Sequence, residues 1–276
     1  MLDLSDLRQT LVELKLSGEL NRNTPGANRQ AIREMLARNN YWALEMDGIE
    51  SLNMTYDEAA SIMAAQLGLS DERFAGEEPP YIDPEHTLSR LITGFHRLEA
   101  VAHAGGRILF ATGHPGSMLS FYQVLGEHFE ELGATLVVPA EPVAAPDRRW
   151  LDDINGVVVL SDEGNLMHTH ASNGMRQFVE ATKPDIVMAD HAFAVAAINA
   201  KAPTIAIFDV DDPAIPIMAH ADPERIIAVP MNDNQTNTRT VKAAFALIKT
   251  LTKPNTPNHE QPSRHLHPRS ASSTRA

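Results

Sequence analysis

The chain has 276 residues, with 36 acidic and 23 basic side chains, a formal net charge of −13 and no Cys. The lack of Cys excludes disulfides, thiolate metal sites and Cys nucleophiles, so any bound metal must take His, carboxylate or backbone ligands. The negative charge argues against a nucleic-acid binder that neutralises phosphates. The sequence contains neither a basic leader with an apolar stretch nor an apolar run of membrane-spanning length, and we expect a cytoplasmic protein without a membrane partner.

Residues 1–82 are predicted to form a helical N-terminal region. Within it, the segment Tyr56–Leu67 has a strong helical pattern. Residues 76–81, with the sequence GEEPPY, are typical of a linker. Asp83 followed by Pro84 then indicates the start of a further helix, because Pro is favoured at the first helical position.

From residue 107 onward, short apolar runs alternate with helical segments. The apolar runs lie at 108–111, 135–138, 157–160, 186–189, 204–208 and 226–229. Helices are predicted at 117–132, 173–181, 192–200 and 240–251, and the turn residues at 162–165 predict a local hairpin. Uniformly apolar strands with intervening helices are typical of an open, doubly wound α/β fold, in which helices cover both faces of a mostly parallel sheet. We predict that this α/β catalytic domain spans residues 83–252 and that residues 253–276 form a disordered tail.

Polar side chains follow nearly every predicted strand. In an open α/β sheet the carboxyl ends of the strands form the edge that binds ligands, so these side chains are expected to meet there. The segments that follow the strands are, in chain order, 112–117, 161–162, 168–170, 190–191, 209–213 and 230–234. Their carboxylates and imidazoles predict a functional site at this edge.

Each of these segments also has a purely structural interpretation. The GHPGS sequence at 113–117 suits any turn into a helix. Asp190 and Asp212 suit the N-caps of the helices that follow them. His168 and His170 would be satisfied by ordinary hydrogen bonds. The joint pattern favours a site, because successive strand ends would otherwise have collected carboxylates or imidazoles by accident.

An acidic edge of this kind requires a counter-charge, because carboxylates at close range cannot all remain ionised without one. None of the strand-end segments contains Lys or Arg. A divalent cation would supply the charge, and His with Asp is a ligand set that suits Mg²⁺, Mn²⁺ or Zn²⁺. We therefore predict a metal site formed by His168, His170, His191 and Asp209.

Five segments together resemble a family of bacterial, largely actinobacterial, proteins known simply as phosphatases. They are ATGHPGS (111–117), INGVVVLSDEGNLMHTH (154–170), PDIVMADH (184–191), FDVDDPA (208–214) and VPMNDN (229–234). The resemblance covers roughly residues 80–250, is weaker in the N-terminal region, and implies phosphate-ester hydrolysis. The resemblance implies that nine residues occupy motif positions of the family: His114, Asp162, His168, His170, Asp190, His191, Asp209, Asp212 and Asp233. Asp211 and Asn232 stand where the family pattern varies.

These inferences combine into a hypothesis of metal-assisted hydrolysis of a small phosphate monoester. The expected catalytic residues are His114, Asp190, Asp209 and Asp212. The expected substrate-binding residues are Gly113, Gly116, Ser117, Asp162 and Asp233, with the phosphate at the GHPGS loop. Two other functions fit the same fold: a non-hydrolytic module that binds a nucleotide or sugar phosphate, and a transferase or epimerase that uses nucleotide sugars. Two roles are open for the N-terminal helices: they form a lid over the carboxyl edge of the sheet, or they form the surface of a homodimer.

Overall fold

The structure, a computed structural model, describes residues 4–21, 23–24 and 26–252, so the predicted tail over 253–276 lies outside it. The α-helices of the described residues are α1 (Ser5–Glu13), α2 (Ala27–Leu36), α3 (Asn40–Ala43), α4 (Tyr56–Leu67), α5 (Asp71–Ala75), α6 (Pro84–His103), α7 (Pro115–Glu131), α8 (Asn173–Thr182), α9 (His191–Asn199), α10 (Ala214–Ala221) and α11 (Asn237–Leu251). The strands are β1 (Gly18–Glu19), β2 (Tyr81–Ile82), β3 (Arg107–Ala111), β4 (Thr135–Leu136), β5 (Val143–Ala145), β6 (Arg149–Asp153), β7 (Val157–Ser161), β8 (Leu166–Met167), β9 (Ile186–Asp190), β10 (Thr204–Phe208) and β11 (Ile226–Pro230). Short 3₁₀ helices occur at Ile49–Leu52 and Pro146–Arg148.

The main sheet has the strand order β11-β10-β9-β3-β7-β6-β5. Parallel pairing joins β11, β10, β9, β3 and β7. Strand β4 pairs in parallel with the first half of β3, and β7 pairs with the second half. Strands β5 and β6 add an antiparallel edge, and β8 folds back on β7 as the predicted hairpin. This mostly parallel sheet confirms the predicted α/β fold class.

The parallel strands direct alternate side chains into two hydrophobic cores, one on each face of the sheet. Leu109 and Val187 lie in a core that includes helices α2, α4, α8, α9 and α10. Ile108 and Ile186 lie in the other core, with helices α1, α6, α7 and α11. Because successive side chains of a strand point to opposite faces, a run of apolar residues requires cover on both sides. The helices on the two faces supply that cover, as predicted.

The N-terminal helices contribute to these same two cores. Leu7 and Leu11 of α1 are buried in the core that contains α11. The region also contains a short antiparallel pair, β1 with β2, in which Gly18 lies opposite Ile82. The purely helical prediction for residues 1–82 therefore missed two strands, and the predicted linker leads directly into one of them. The domain boundary at residue 82 stays a prediction.

Two strands at the edge of the sheet, β5 and β6, have no counterpart among the predicted elements. Strand β5 is largely exposed and Pro146 follows it, so its sequence lacks the alternation that predicts a half-buried strand. Its conformation comes from long-range pairing, in which Trp150 of β6 lies opposite both Ala144 of β5 and Ser161 of β7. Tertiary context, rather than local pattern, forms this edge.

Two long helices begin where their sequences predict. Thr55 accepts the N–H of Glu58 and the Glu58 carboxylate accepts the N–H of Thr55, which together form a capping box at the start of α4. Asp83 accepts the N–H of Glu85 at 3.0 Å, directly before Pro84 and α6. No helix of the described residues combines the length and apolarity needed to cross a membrane.

Candidate active site

The direction in which successive strands are added to the sheet reverses at the central strand β3. After β3 the chain adds β4 and β7 on one side, and after β7 it crosses to β9 on the other side. Loops that leave neighbouring strands at such a reversal diverge and open a crevice at the carboxyl edge. Gly113 and His114 follow β3, while Asp190 and His191 lie at the end of β9, so predicted site residues stand on both sides of the crevice.

The Asp190 carboxylate joins the two sides of the crevice. Its Oδ1 accepts the N–H groups of Gly113 and His114, at 3.0 and 3.2 Å. Asp190 occupies the N-cap position of α9, but its side chain makes no capping hydrogen bond to the helix, so the prediction that this side chain caps α9 is wrong. Its other oxygen, Oδ2, makes no hydrogen bond of good geometry, and the carboxylate interacts with the buried hydroxyl group of Tyr122.

His191 occupies a sharp bend between β9 and α9. Its φ of +50° is a left-handed conformation that is unusual for a residue with a side chain. Such backbone strain costs on the order of 1–3 kcal/mol and is found mainly at functional sites. The ring is almost fully buried, and its Nδ1 lies 3.1 Å from Oδ1 of Asp212. Asp212 also accepts the N–H of Asp209 at 3.4 Å and does not cap α10, so its interpretation as an N-cap is wrong too.

Four imidazole rings meet in the crevice, those of His114, His168, His170 and His191. The ring centroids lie 4.3 Å apart for His114 and His191, and 4.4 Å apart for His114 and His168. His170 lies 4.4 Å from His191. His168 lies 4.9 Å from His170 and 5.0 Å from His191. The fold therefore brings together all four His residues that the sequence analysis selected.

Burial and mutual repulsion keep three of these rings neutral. Burial, followed by the charge of neighbouring imidazoles, lowers the pKa of His168, His170 and His191 to about 4 each. A neutral imidazole has one ring nitrogen free to bind a metal ion. The Nδ1 of His191 is engaged by Asp212, a pairing that orients metal-binding imidazoles in many proteins, and its Nε2 is buried without a partner.

His114 has the opposite electrostatic environment. Its Nδ1 lies 3.3 Å from Oδ2 of Asp233 and 3.5 Å from Oδ1 of Asp190. Burial lowers the pKa of His114, but the charges of Asp233 and Asp190 outweigh it and raise that pKa well above its ordinary value. These charges favour the protonated form of His114, whose Nδ1 lies between the two carboxylates.

The rings line a cavity of about 150 Å³ together with four carboxylates. Its walls are formed by Tyr41, Trp42, His114, His168, His170, His191, Asp209, Asp211, Asp212, Asp233 and Asn234. Burial raises the pKa of Asp209 well above its usual range and also raises that of Asp233. Burial raises the pKa of Asp211 to about 7, with help from Asp212, and that of Asp212 to about 6. Neither Lys nor Arg lies in the wall, so only His114 offsets the repulsion among these carboxylates.

The donor atoms around this cavity fit a divalent cation. His114, His168 and His191 offer ring nitrogens that lie within 4.8 Å of one another, and the ligand atoms of His114, Asp190 and Asp233 meet the same limit. Nitrogen and carboxylate ligands of this kind suit Zn²⁺, Mn²⁺ or Mg²⁺. Buried polar atoms in proteins normally have partners, yet Oδ1 of Asp233 and Nε2 of His191 have none, and Oδ2 of Asp233 has only its ion pair with His114.

Two wall residues, Tyr41 and Trp42, come from α3 and were not predicted. The ring of Tyr41 stacks on His170 with centroids 3.6 Å apart, and its carbonyl oxygen lies 3.0 Å from Nδ1 of His170. No sequence signal marks these aromatic residues, because a helical pattern usually places them in a core. Asn234 and the weaker candidate Asp211, by contrast, lie in strand-end segments and also line the cavity.

A second cavity, of about 550 Å³, adjoins the first and shares His114, His168 and Asn234 with it. Its other lining residues are Pro115, Gly116, Ser117, Leu166, Gln235, Thr236 and Asn237, so the N-termini of α7 and α11 both reach it. Of the predicted substrate-binding residues, Gly116 and Ser117 face this cavity. The Gly113 N–H is already bound to Asp190.

Asp162 is not brought to either cavity. It is exposed in the turn between β7 and β8, where its Oδ1 accepts the N–H groups of Gly164 and Asn165 at 3.2 and 2.7 Å. Asp commonly closes a turn in this way. The position of Asp162 therefore gives no support to its predicted substrate-binding role.

Comparison with known proteins identifies the family. A family model described as Phosphatase matches residues 2–241, a range that contains every residue lining the two cavities. The chain is 28% identical to Phosphatase SCO2771 of Streptomyces coelicolor over 245 residues, which are 85% of this chain and 90% of that protein. Both similarities confirm the resemblance found in the strand-end segments. The chain belongs to the Phosphatase family.

Proposed function

We propose that this protein hydrolyses a small phosphate monoester with a divalent cation, Mg²⁺, Mn²⁺ or Zn²⁺, held by His and Asp residues of the first cavity. The observation that carries the proposal is the buried cluster of imidazoles and carboxylates, which has neither Lys nor Arg in its wall. A phosphate ester is an anion, and these carboxylates would repel it unless a cation lay between them. Membership of the Phosphatase family supports the same reaction.

The cation would be held by the predicted set of His168, His170, His191 and Asp209, of which His168 and His191 have ligand atoms within 4.8 Å of each other. When bound, it supplies Lewis acidity and neutralises charge on the phosphoryl oxygens. Asp212 orients the His191 ring through Nδ1. The carbonyl of Tyr41 orients His170 in the same manner, so both rings are fixed before a cation arrives.

The phosphate is proposed to lie where the two cavities meet. His114 stands in the walls of both and presents positive charge there, positioned by Asp190 and Asp233. Gly116 and Ser117 lie in the first turn of α7, whose N-terminal dipole favours an anion. A Cβ at Gly116 would meet no atom within 4 Å, so this wall is open to a ligand. The leaving group would then occupy the second cavity.

Asp190 and Asp212 complete the proposed catalytic set. Asp190 fixes the backbone of the loop after β3 and the ring of His114. Burial raises the pKa of Asp212 to about 6, which lets its carboxyl group exchange a proton near neutral pH. A carboxyl group with such a pKa suits general acid–base catalysis.

A panel of small phosphate monoesters tests the proposal. Phosphate release from sugar phosphates, nucleoside monophosphates and an aryl phosphate would be measured with metal-free protein, and again after adding Mg²⁺, Mn²⁺ or Zn²⁺ singly. We expect release from at least one ester with at least one metal, and background release in the presence of a chelator. No release from any ester with any of these metals would overturn the proposal.

A non-hydrolytic module is the second candidate function, and the size of the second cavity favours it. A space of about 550 Å³ at the N-termini of two helices accommodates a nucleotide or a sugar phosphate. Thermal-shift measurements separate the two functions. Stabilisation by such a ligand, independent of metal and without phosphate release, would favour the binding module.

Substituting Gly113 with Ala tests whether the geometry of His191 matters for turnover. A Cβ at Gly113 would lie 3.2 Å from Cβ of His191, so one of the two must move. We expect kcat/KM to fall by about 10–100-fold, the usual cost of disturbing the support of a metal-binding residue. The matched control is Gly164→Ala, where the new Cβ would meet only the Asp162 side chain, at 3.9 Å. A similar loss in both variants would contradict the expectation.

A further inference from the structure

The first cavity offers more ligand atoms than one cation can use. We infer that it binds two divalent cations: one at His168, His170 and His191, and a second between Asp190 and Asp233 beside His114. This inference rests on the proposed metal-dependent function and extends it, because that function requires one cation only.

The first observation concerns buried polar atoms without partners. In the part of the chain that the structure describes, ten buried side-chain nitrogen or oxygen atoms have no hydrogen-bond partner. Six of these ten belong to five residues of the site: His114, His170, Asp190, His191 and Asp233. Asp233 contributes both of its oxygens although the residue is only 1% exposed. Such atoms are rare in native proteins, and their concentration here is typical of a ligand set.

The unpartnered atoms form two groups. On what we call the carboxylate side, Asp190 and Asp233 lie 3.5 and 3.3 Å from Nδ1 of His114, and the three residues place ligand atoms within 4.8 Å of one another. On the imidazole side, His170 and His191 each have an unpartnered Nε2, and their rings are 4.4 Å apart. The ligand atoms on the carboxylate side meet the 4.8 Å limit as a set of three; on the imidazole side His168 and His191 meet it with each other, and the His170 ring lies beside both.

One cation on the imidazole side cannot serve both groups. A catalytic metal needs about three protein ligands and an open position, and on the imidazole side the ring centroids of His168, His170 and His191 lie 4.4–5.0 Å apart. Asp190 and Asp233 would then have only the His114 ring as a counter-charge.

The charge of the site favours two cations as well. Five carboxylates surround the cavity, those of Asp190, Asp209, Asp211, Asp212 and Asp233, and neither Lys nor Arg is among the residues that line it. If all five carboxylates are ionised, one divalent cation offsets two of the five negative charges and two cations offset four. Buried charges persist only where they are paired or bound to a metal.

Counting bound Mn²⁺ tests this inference without any substrate. The full chain, stripped with a chelator, would be dialysed against Mn²⁺ and the metal per chain measured by elemental analysis, with the electron paramagnetic resonance spectrum recorded on the same sample. We expect two Mn²⁺ per chain at saturation and the spectrum of a magnetically coupled pair. One Mn²⁺ per chain in the saturated wild type would overturn the inference.

Substitutions assign the two positions. Asp233→Asn is expected to reduce the bound Mn²⁺ from two to one per chain and to abolish the coupled spectrum, while Asp57→Asn, an exposed change in α4, keeps two. Circular dichroism checks that each variant is folded, and the wild-type count stands on its own if Asp233→Asn does not fold. Retention of two Mn²⁺ by a folded Asp233→Asn variant would overturn the assignment.

The metal count also separates this inference from the proposed function. Two Mn²⁺ per chain without phosphate release from any ester would support the two-cation site and overturn the phosphatase proposal. One Mn²⁺ per chain with metal-dependent phosphate release would support the phosphatase proposal and overturn the two-cation site. No bound Mn²⁺ would overturn the inference regardless of turnover.

Discussion

Replacing Asp209 with Asn is expected to lower the turnover of a phosphate ester by about 10²–10³-fold, a loss of ~3–4 kcal/mol of transition-state stabilisation. Asp209 is 3% exposed in the cavity wall, and the proposal makes it a carboxylate ligand of the cation. An amide in its place carries no charge and binds a hard cation less well. The measurement is kcat/KM, with Asp57→Asn as the matched control. Equal values for wild type and the Asp209→Asn variant would contradict the role of Asp209.

The same substitution is expected to stabilise the metal-free protein. Burial, followed by repulsion from Asp211 and Asp233, raises the pKa of Asp209 well above its ordinary value. A carboxyl group with a raised folded-state pKa contributes stability at low pH, and this contribution is lost as the pH rises through that pKa. At pH 8 the wild type therefore bears the cost of burying this carboxyl group, either as a charge or by taking up a proton, whereas the Asp209→Asn variant does not.

Thermal melts in the presence of a chelator measure this effect. The Asp209→Asn variant should melt about 2–4 °C above the wild type at pH 8, which corresponds to ~1 kcal/mol for a chain of this size. The difference should shrink as the pH falls towards the ordinary pKa of a carboxyl group, because the cost of the raised pKa disappears there. A variant that melts below the wild type at pH 8 would contradict this explanation.

Chelation is expected to lower the melting temperature of the wild type by about 5–10 °C. A ligand present at about a hundred times its Kd contributes ~2.7 kcal/mol to folding, and each kcal/mol shifts the melting temperature by roughly 2–4 °C. The physical reason is that the buried carboxylates repel one another once the cation is removed. The measurement is a thermal melt in chelator, repeated after adding excess Mn²⁺.

The Asp209→Asn variant provides the internal control for chelation, and its melting temperature should respond less because its site has one carboxylate fewer. A wild-type melting temperature that neither chelator nor Mn²⁺ changes would contradict metal binding by the native state.

The location of the site could be predicted from the sequence because apolar strands of a parallel sheet are easily recognised. Whatever follows such a strand must lie at the carboxyl edge, and His114, His191 and Asp233 do. The partners of each side chain could not be predicted in this way. An Asp before a helix usually caps it, yet Asp190 binds the loop after β3 and Asp212 binds His191.

Other parts of the site depend on contacts between distant segments of the chain. Tyr41 and Trp42 reach the cavity only because the N-terminal helices pack on the same sheet, and no local pattern reports that packing. Asp162 was selected because it follows a strand, but β8 folds back immediately and the carboxylate closes that turn. Strand-end position therefore predicts the edge of the sheet and not which side chains face the cavity.

Phosphate release measured against the number of cations bound per chain tests the metal-dependent site most directly. Metal-free wild-type protein would be titrated with Mn²⁺, and bound metal and phosphate release would be measured on each sample with the best ester of the panel. We predict background release without metal and release that rises with occupancy until the site is saturated. Full release from the metal-free protein, or none from the saturated protein, would contradict a metal-dependent phosphatase site in this cavity.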